Sequence, residues 1–279
     1  MPLVANDFEL VRQVVREHVG IQLDNWKTSL VETRLASIAR DERLAGLDDL
    51  VRHLRARPRG PLATRVVESL LTTETSFFRD VHPFEAIRQF ILPDLIAQRQ
   101  ARRELAIWSA GCASGQEIYS AAMLIREHFP SLLDWSLRLV GTDVSSSMLA
   151  RAERGRYTEL EVNRGLPAAA LVKYFEQHGL EWQIKLEVRA MVEFLQLNLA
   201  GSWRALPKMD IIFLRNVLVY FDVEKKREIL AKVRRLLHPD GFLFLGGAES
   251  TINLDDGFQP TYFGPAVVYR VRARVGEAA

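Results

Sequence analysis

The sequence predicts an α/β protein, a parallel sheet covered by helices on both faces, preceded by a small all-helical domain. Three observations predict it. Up to about residue 78 apolar residues recur at three- and four-residue steps, and no strand pattern occurs before residue 104. From residue 104 short apolar runs bounded by turn residues alternate with helical stretches. A longer insert between the second and third of those runs carries its own two-residue alternation. The second part is therefore Rossmann-like with a small inserted β flap.

In order, Phe8, Val11, Val14, Val15 and Val19 mark a first helix that stops at Gly20. Leu30, Leu35 and Ile38 mark a second, Leu47, Leu50, Val51 and Leu54 a third, and Leu62, Val66, Val67, Leu70 and Leu71 a fourth. Arg57-Pro58-Arg59-Gly60-Pro61 is a loop, because Pro removes a donor and Gly relaxes the backbone. Residues 1–78 form the helical domain and residues 79–279 the second one. Its strand runs are Leu105–Ser109, Leu137–Val140, Val192–Leu197, Ile211–Leu214 and Phe242–Leu245. The helices between them lie near Glu117–Phe129, Ser145–Glu153 and Glu224–Leu237, the last closed by His238-Pro239-Asp240-Gly241. Tyr262–Val271 reads as a final strand pair or edge hairpin. The insert, Gly155 to about Ala190, holds a helix over Ala168–Phe175, and alternation over Trp182–Val188 predicts an antiparallel flap over about 176–192.

With 48% apolar residues in 279, a sizeable buried core is expected. No apolar run approaches the ~18–20 residues of a membrane span, so membrane insertion is not expected. Asp7 and Glu9 stand where a secretory leader would carry basic and apolar residues. The single Cys112 excludes an internal disulfide framework and fits a reducing, cytoplasmic setting. A net charge of +2 gives no reason to expect nucleic acid. Six scattered His residues show no pair at ligand spacing, so no metal is expected. The charge is uneven: Arg34, Arg40, Arg43, Arg52, Arg55, Arg57, Arg59 and Arg65 are either a solvated face or a docking surface for an acidic partner.

The first strand run leads into Gly111-Cys112-Ala113-Ser114-Gly115-Gln116-Glu117, which opens a helix. Ligands of open α/β sheets bind outside the carboxyl ends of the strands. Small residues there let the backbone approach a guest closely, although a plain strand-to-helix turn would need the same residues. The loop lacks the third glycine of G-x-G-x-x-G, which argues against a dinucleotide and a nicotinamide oxidoreductase. The second strand ends in Gly141-Thr142-Asp143, and an acid at that tip can accept both ribose hydroxyls; otherwise Asp143 helps cap the next helix, with Ser145. Glu117, in a first helical turn, is either a dipole partner or a ligand for a cationic nucleoside. Nucleoside plus positive charge without diphosphate describes S-adenosylmethionine. Asn198 and Asn216 close the third and fourth strands, where each can pair with an adenine edge or a carboxylate. Cys112 as a nucleophile has no His near it in sequence, and a small packed thiol is the plainer reading.

Thr73-Glu74-Thr75-Ser76-Phe77-Phe78-Arg79-Asp80, Ile107–Ser120, Gly141-Thr142-Asp143, Arg164-Gly165-Leu166-Pro167 with Lys173-Tyr174-Phe175, Phe213–Phe221 and Leu237–Gly246 together closely resemble the chemotaxis receptor glutamate methyltransferases, the CheR-type family. The resemblance runs from about residue 8 to residue 272. It implies an all-α N-terminal domain, then a Rossmann-like S-adenosylmethionine-dependent methyltransferase domain with an inserted β flap. It implies cofactor contacts from Thr73, Thr75, Arg79, Glu117, Asp143, Asn198, Leu199, Arg215 and Asn216. The partners implied are the cytoplasmic methylation helices of chemoreceptors, met by a monomer, with Arg34, Arg40 and Arg43 as docking residues. The family usually carries Asn where Thr73 stands and Pro where Ile118 stands.

Methyl transfer from a sulfonium to a carboxylate is a direct displacement, and glutamate, with a pKa of about 4.3, is already ionised at neutral pH. No general base is then required. Arg79 can fork onto the substrate carboxylate, or onto the cofactor's, and Tyr220 can donate its hydroxyl to the second oxygen. The resemblance points to the same pair as catalytic. The alternative from another class is a non-catalytic, cofactor-binding signalling module of the same fold.

Overall fold

The computed structural model describes residues 3–24, 28–203 and 206–272. Four amphipathic helices open the chain: α1 (Ala5–Val19), α2 (Thr28–Asp41), α3 (Leu47–Ala56) and α4 (Pro61–Leu70). Their apolar stripes close one core in which Val11, Val15, Leu35, Leu50, Leu54 and Val66 are wholly buried. Gly20 ends α1 in the left-handed region, at φ 74°, returning its N–H to the Arg16 carbonyl.

Next come α5 (His82–Ala86) and α6 (Leu92–Arg99), joined by a π-helical turn over Ile87–Ile91. These helices were not among the expected elements. Pro83 and Pro93 interrupt the segment, and a proline in a helical pattern reads as a stop although the first helical turn tolerates it. The chain continues through β1 (Glu104–Ala110), α7 (Gln116–His128), β2 (Ser136–Asp143), α8 (Ser146–Arg154), β3 (Arg156–Thr158), α9 (Glu159–Val162) and α10 (Ala168–Tyr174). It ends with β4 (Phe175–His178), β5 (Glu181–Ile184), α11 (Leu186–Arg189), β6 (Val192–Gln196), β7 (Met209–Leu214), α12 (Val223–Leu236), β8 (Leu237–Leu245), β9 (Phe258–Phe263) and β10 (Ala266–Val271).

The main sheet has the order β6-β2-β1-β7-β8-β10-β9. The first five are parallel, and β10 runs antiparallel to both β8 and β9. Alternate strand residues feed two cores. Leu105, Ile107, Leu139, Ile211, Phe213 and Phe242 face α5–α7, whereas Trp108, Val140, Ile212, Leu214 and Leu243 face α12. Both faces are thereby covered, as a parallel sheet requires. The strand order turns back between β1 and β7, which opens a crevice at their carboxyl ends.

At the other end of the sheet Arg99 forms a buried clip. Both its terminal nitrogens donate to Asp240 at 2.7 Å and its Nε donates to Asp210 at 3.0 Å, while Asp210 also accepts the Ala106 N–H at 2.9 Å. The clip explains one departure from expectation. His238–Gly241 does not simply close α12: Leu237 pairs with Met209 and Phe242 with Ile211, so these four residues bulge from β8 and deliver Asp240 to Arg99.

The insert holds a three-stranded antiparallel sheet, order β3-β5-β4. It departs from the expected flap in two places. The alternation of Trp182–Val188 breaks after Ile184, where the chain turns into α11, and one strand comes earlier, at Arg156–Thr158. Three residues are too few to show a period.

Candidate active site

A cavity of about 210 Å³ lies at the carboxyl ends of β1, β2, β6 and β7. Thr73, Thr75, Arg79, Glu117, Asp143, Asn198, Leu199, Arg215, Asn216 and Tyr220 all line it. Residues separated by most of the chain are thus gathered at one place.

The loop after β1 forms the floor. Gly111 sits at φ 73°, and a Cβ there would stand 2.7 Å from Val217 Cγ2, so only glycine fits. Gly111 and Cys112 donate their N–H groups to the Thr142 carbonyl at 2.8 and 2.9 Å, which draws the loop against the tip of β2. Asp143 accepts the Ala113 N–H on Oδ2 at 2.8 Å and the Ser145 N–H on Oδ1 at 2.9 Å. Burial pushes its carboxyl up from the ordinary range, and the N–H groups of Ser145, Ala113 and Val144 pull it back. Each oxygen keeps a further lone pair for a guest. The helix cap itself is Ser145, whose Oγ accepts from Met148.

Glu117 accepts the Ser109 hydroxyl at 2.8 Å and Nη1 of Arg215 at 2.9 Å. Arg215, whose side chain is 2% exposed, also donates Nη2 to Asp80 Oδ2 at 2.5 Å and to the Arg79 carbonyl at 3.0 Å. Its Nε and Oδ1 of Asn216 are buried without a partner among the described residues. Buried polar atoms are normally satisfied, so an unpartnered donor and acceptor on two cavity-lining residues mark a place for a polar guest.

Arg79 differs from Arg215. Among the described residues it forms no ion pair, and its one hydrogen bond reaches the Glu74 carbonyl at 3.3 Å. Glu74 is instead paired with Arg164. The backbone around Arg79 is strained: Phe78, Asp80 and Val81 have φ values of 45°, 66° and 44°, conformations that cost about 1–3 kcal/mol each. Neighbours hold it there. Phe77 lies edge-on to Tyr157 and Phe175, with ring centroids 5.0 and 5.5 Å away, and the Phe78 N–H donates to Ser120 Oγ at 2.9 Å.

Two expected contacts are also engaged within the chain. Asn198 donates one amide N–H to the His18 carbonyl at 2.7 Å and accepts the Ala200 N–H at 2.9 Å, which orients the side chain and leaves it one N–H and one lone pair. Arg34 donates Nη1 to the carbonyls of Ser69 and Leu71 at 2.5 and 3.1 Å, tying α2 to the end of α4, so its side chain also holds the helical domain together. Arg40 and Arg43 are exposed and, among the described residues, unpaired. Cys112 is a buried, packed thiol: burial drives it well above the usual value, and the Asp143 and Glu117 carboxylates push the same way.

The helical domain supplies wall residues that no sequence motif marked, Val19 and Ile21. The Gln22 N–H donates to the Tyr220 carbonyl at 3.0 Å, and Ile21 bridges to Phe221. Only the folded chain sets these partners side by side.

Residues 73–264 match the family described as "CheR methyltransferase, SAM binding domain", and residues 6–71 match "CheR methyltransferase, all-alpha domain". The chain is 41% identical over 270 residues to the "Chemotaxis protein methyltransferase 1" of Pseudomonas aeruginosa, covering 95% of this chain and 98% of that protein. It is 38% identical over 270 residues to the "Chemotaxis protein methyltransferase Cher2" of Pseudomonas putida, with the same two shares. Similarity to the "Chemotaxis protein methyltransferase" of Vibrio parahaemolyticus is 37% over 257 residues, covering 91% of this chain and 92% of that protein.

Proposed function

The chain belongs to the CheR family of S-adenosylmethionine-dependent chemotaxis methyltransferases, and from that premise we propose that it methylates glutamate side chains of chemoreceptor-type proteins. The products are glutamate methyl esters and S-adenosylhomocysteine. One observation carries the reading: Arg215 Nε and Asn216 Oδ1, unpartnered among the described residues, belong to a cavity that also holds two acids, Asp143 and Glu117, and Arg79, an arginine that forms no ion pair among those residues.

S-adenosylmethionine fits that donor set, and when bound it supplies a methyl group made electrophilic by the sulfonium. Asp143, fixed by two backbone N–H groups, offers its remaining lone pairs to ribose hydroxyls. Asn216 offers an acceptor and Arg215 a donor to the rest of the nucleoside or its amino acid tail. Leu199 and the backbone of Asn198 complete that wall, with Thr73 and Thr75 on the side of the helical domain. Arg79 receives the incoming carboxylate, and the Tyr220 hydroxyl donates to its second oxygen. An ionised glutamate needs no proton removed, so the residues contribute alignment, an effect that reaches about 7–11 kcal/mol in favourable cases. A helix that carries methyl-accepting glutamates is acidic there, and Arg40 and Arg43, exposed and unpaired among the described residues, suit such a surface.

The test is incorporation of label from methyl-labelled cofactor into a panel of receptor cytoplasmic fragments. Base-labile incorporation that disappears when the target glutamates are replaced by alanine is the expected result. Binding of S-adenosylhomocysteine without transfer to any fragment would instead identify a cofactor-binding signalling module.

A further inference from the structure

We infer that Glu249 is a positioning residue for this reaction, its carboxylate setting the turn that carries Arg215, Asn216 and Tyr220. It lies beyond the carboxyl end of β8 and does not line the cavity. Its Oε2 accepts the N–H groups of Asn216 and Gly246, both at 2.7 Å, and its Oε1 accepts the N–H of Val219 at 3.2 Å. One acid thus ties the tip of β8 to the turn that follows β7. No Lys or Arg among the described residues forms an ion pair with it, so its acceptor capacity goes to the backbone.

The turn needs such a clamp. Asn216 sits at φ 59°, in the left-handed region, which asparagine tolerates better than most residues with a side chain but less readily than glycine. The N–H groups of Asn216 and Val219 point out of the turn, where a charged oxygen satisfies them better than a neutral one. The approach is close: a Cβ on Gly246 would stand 2.8 Å from Asn216 N, from Asn216 Nδ2 and from Glu249 Oε2. The glycine therefore admits the clamp. At the far end of the same turn Gln22 holds the Tyr220 carbonyl, so Glu249 and the helical domain fix it from two sides. The atoms that await a guest, Arg215 Nε and Asn216 Oδ1, depend on where this turn stands.

This inference rests on the cofactor reading above, and the experiment separates the two. Glu249→Ala and Glu249→Gln are compared with the wild type in calorimetric binding of S-adenosylhomocysteine, in kcat and KM for methyl transfer, and in amide exchange of Asn216, Val219 and Gly246 without cofactor. Loss of charge-assisted hydrogen bonds should weaken binding about tenfold or more in Glu249→Ala. Glu249→Gln should fall between, because its carbonyl oxygen still accepts from Asn216 and Gly246 while its amide nitrogen opposes the Val219 N–H. Exchange at the three amides should quicken in the same order, with kcat falling more than KM rises. If Glu249→Ala does not fold, Glu249→Gln alone decides. Unchanged affinity, unchanged kcat or unchanged exchange in Glu249→Gln, with normal wild-type binding, would overturn the role of Glu249. A wild type that fails to bind S-adenosylhomocysteine would overturn the cofactor reading itself.

Discussion

Two arginines in one cavity show how burial and pairing divide labour between like residues. Arg215 is enclosed, its charge matched by Glu117 and Asp80, and it organises the walls. Arg79 is half-buried and forms no ion pair among the described residues. Removing Arg79 should therefore cost little stability and much activity. Arg79→Ala is expected to lower kcat/KM about a hundredfold or more with unchanged melting, since alignment of the reacting groups is its contribution. Arg79→Lys should not restore the rate, because a point charge lacks the planar fork that matches a carboxylate. Arg215→Ala should also lower the melting temperature, leaving Glu117 short of its partner at a cost of about 2–3 kcal/mol. Parallel kinetics and thermal melts check the contrast; equal melting losses in both variants would contradict it.

Among the elements, the clip at the amino ends of the strands is the clearest case of a local feature with a global effect. Arg99 on α6 holds β7 through Asp210 and the bulge of β8 through Asp240. Replacing Arg99 with leucine strands Asp210, whose side chain is 4% exposed, without its counter-charge. A loss of about 3 kcal/mol is expected by denaturant unfolding, because an uncompensated buried charge is costly. The pH dependence follows from Asp240, whose carboxyl the Arg99 guanidinium holds below the usual carboxylate range while burial opposes it. A depressed folded value means stabilisation that is present above the unfolded value, about 3.9, and lost as pH falls through the folded one. Asp240→Asn should therefore lower the melting temperature at neutral pH, and the gap to the wild type should close in acid. A gap independent of pH would show that the pair does not act through charge.

For the molecule as a whole, the helical domain is part of the cavity wall. The end of α1 and the residues just after it line the cavity with Val19 and Ile21, hold the Tyr220 carbonyl through Gln22 and receive the Asn198 amide at His18. Glu68 on α4 reaches across to the N–H and hydroxyl of Ser146, at 2.9 and 3.0 Å. Gly20 is the tight point of this seam: it has φ 74°, and a Cβ there would meet that of Ala200 at 2.6 Å. Gly20→Ala should cost about 1–3 kcal/mol and weaken S-adenosylhomocysteine binding together with stability, as strain and overpacking act at once. Unaltered affinity would show that the seam is not transmitted to the site. On the proposed reading, Arg40 and Arg43, both exposed, meet acidic receptor helices. Charge reversal at either, or added salt, should raise KM for the receptor while sparing kcat, since exposed charges act on encounter and are screened. Arg34→Glu should differ, destabilising the domain by breaking its bonds to Ser69 and Leu71.

The order of residues was enough for the two-part architecture and the strands of the parallel sheet, and together with the family resemblance it named the residues that meet at the sheet's tips. Helix and strand periods are local properties, and a site at strand ends is written in short contiguous stretches such as Gly141-Thr142-Asp143 and Arg215-Asn216. Elements with too little pattern escaped: β3, with three residues, and α5 and α6, whose prolines resemble stops. What folding added is the accounting of partners. Arg34 and Asn198 each donate to carbonyls of their own chain, Arg79 stayed without an ion pair among the described residues, and Glu249 found three N–H groups near the site. A hydrogen bond from Asn198 to His18 spans most of the chain and leaves no period behind. Which polar groups remain available to a guest is settled only when all of them compete for partners in three dimensions.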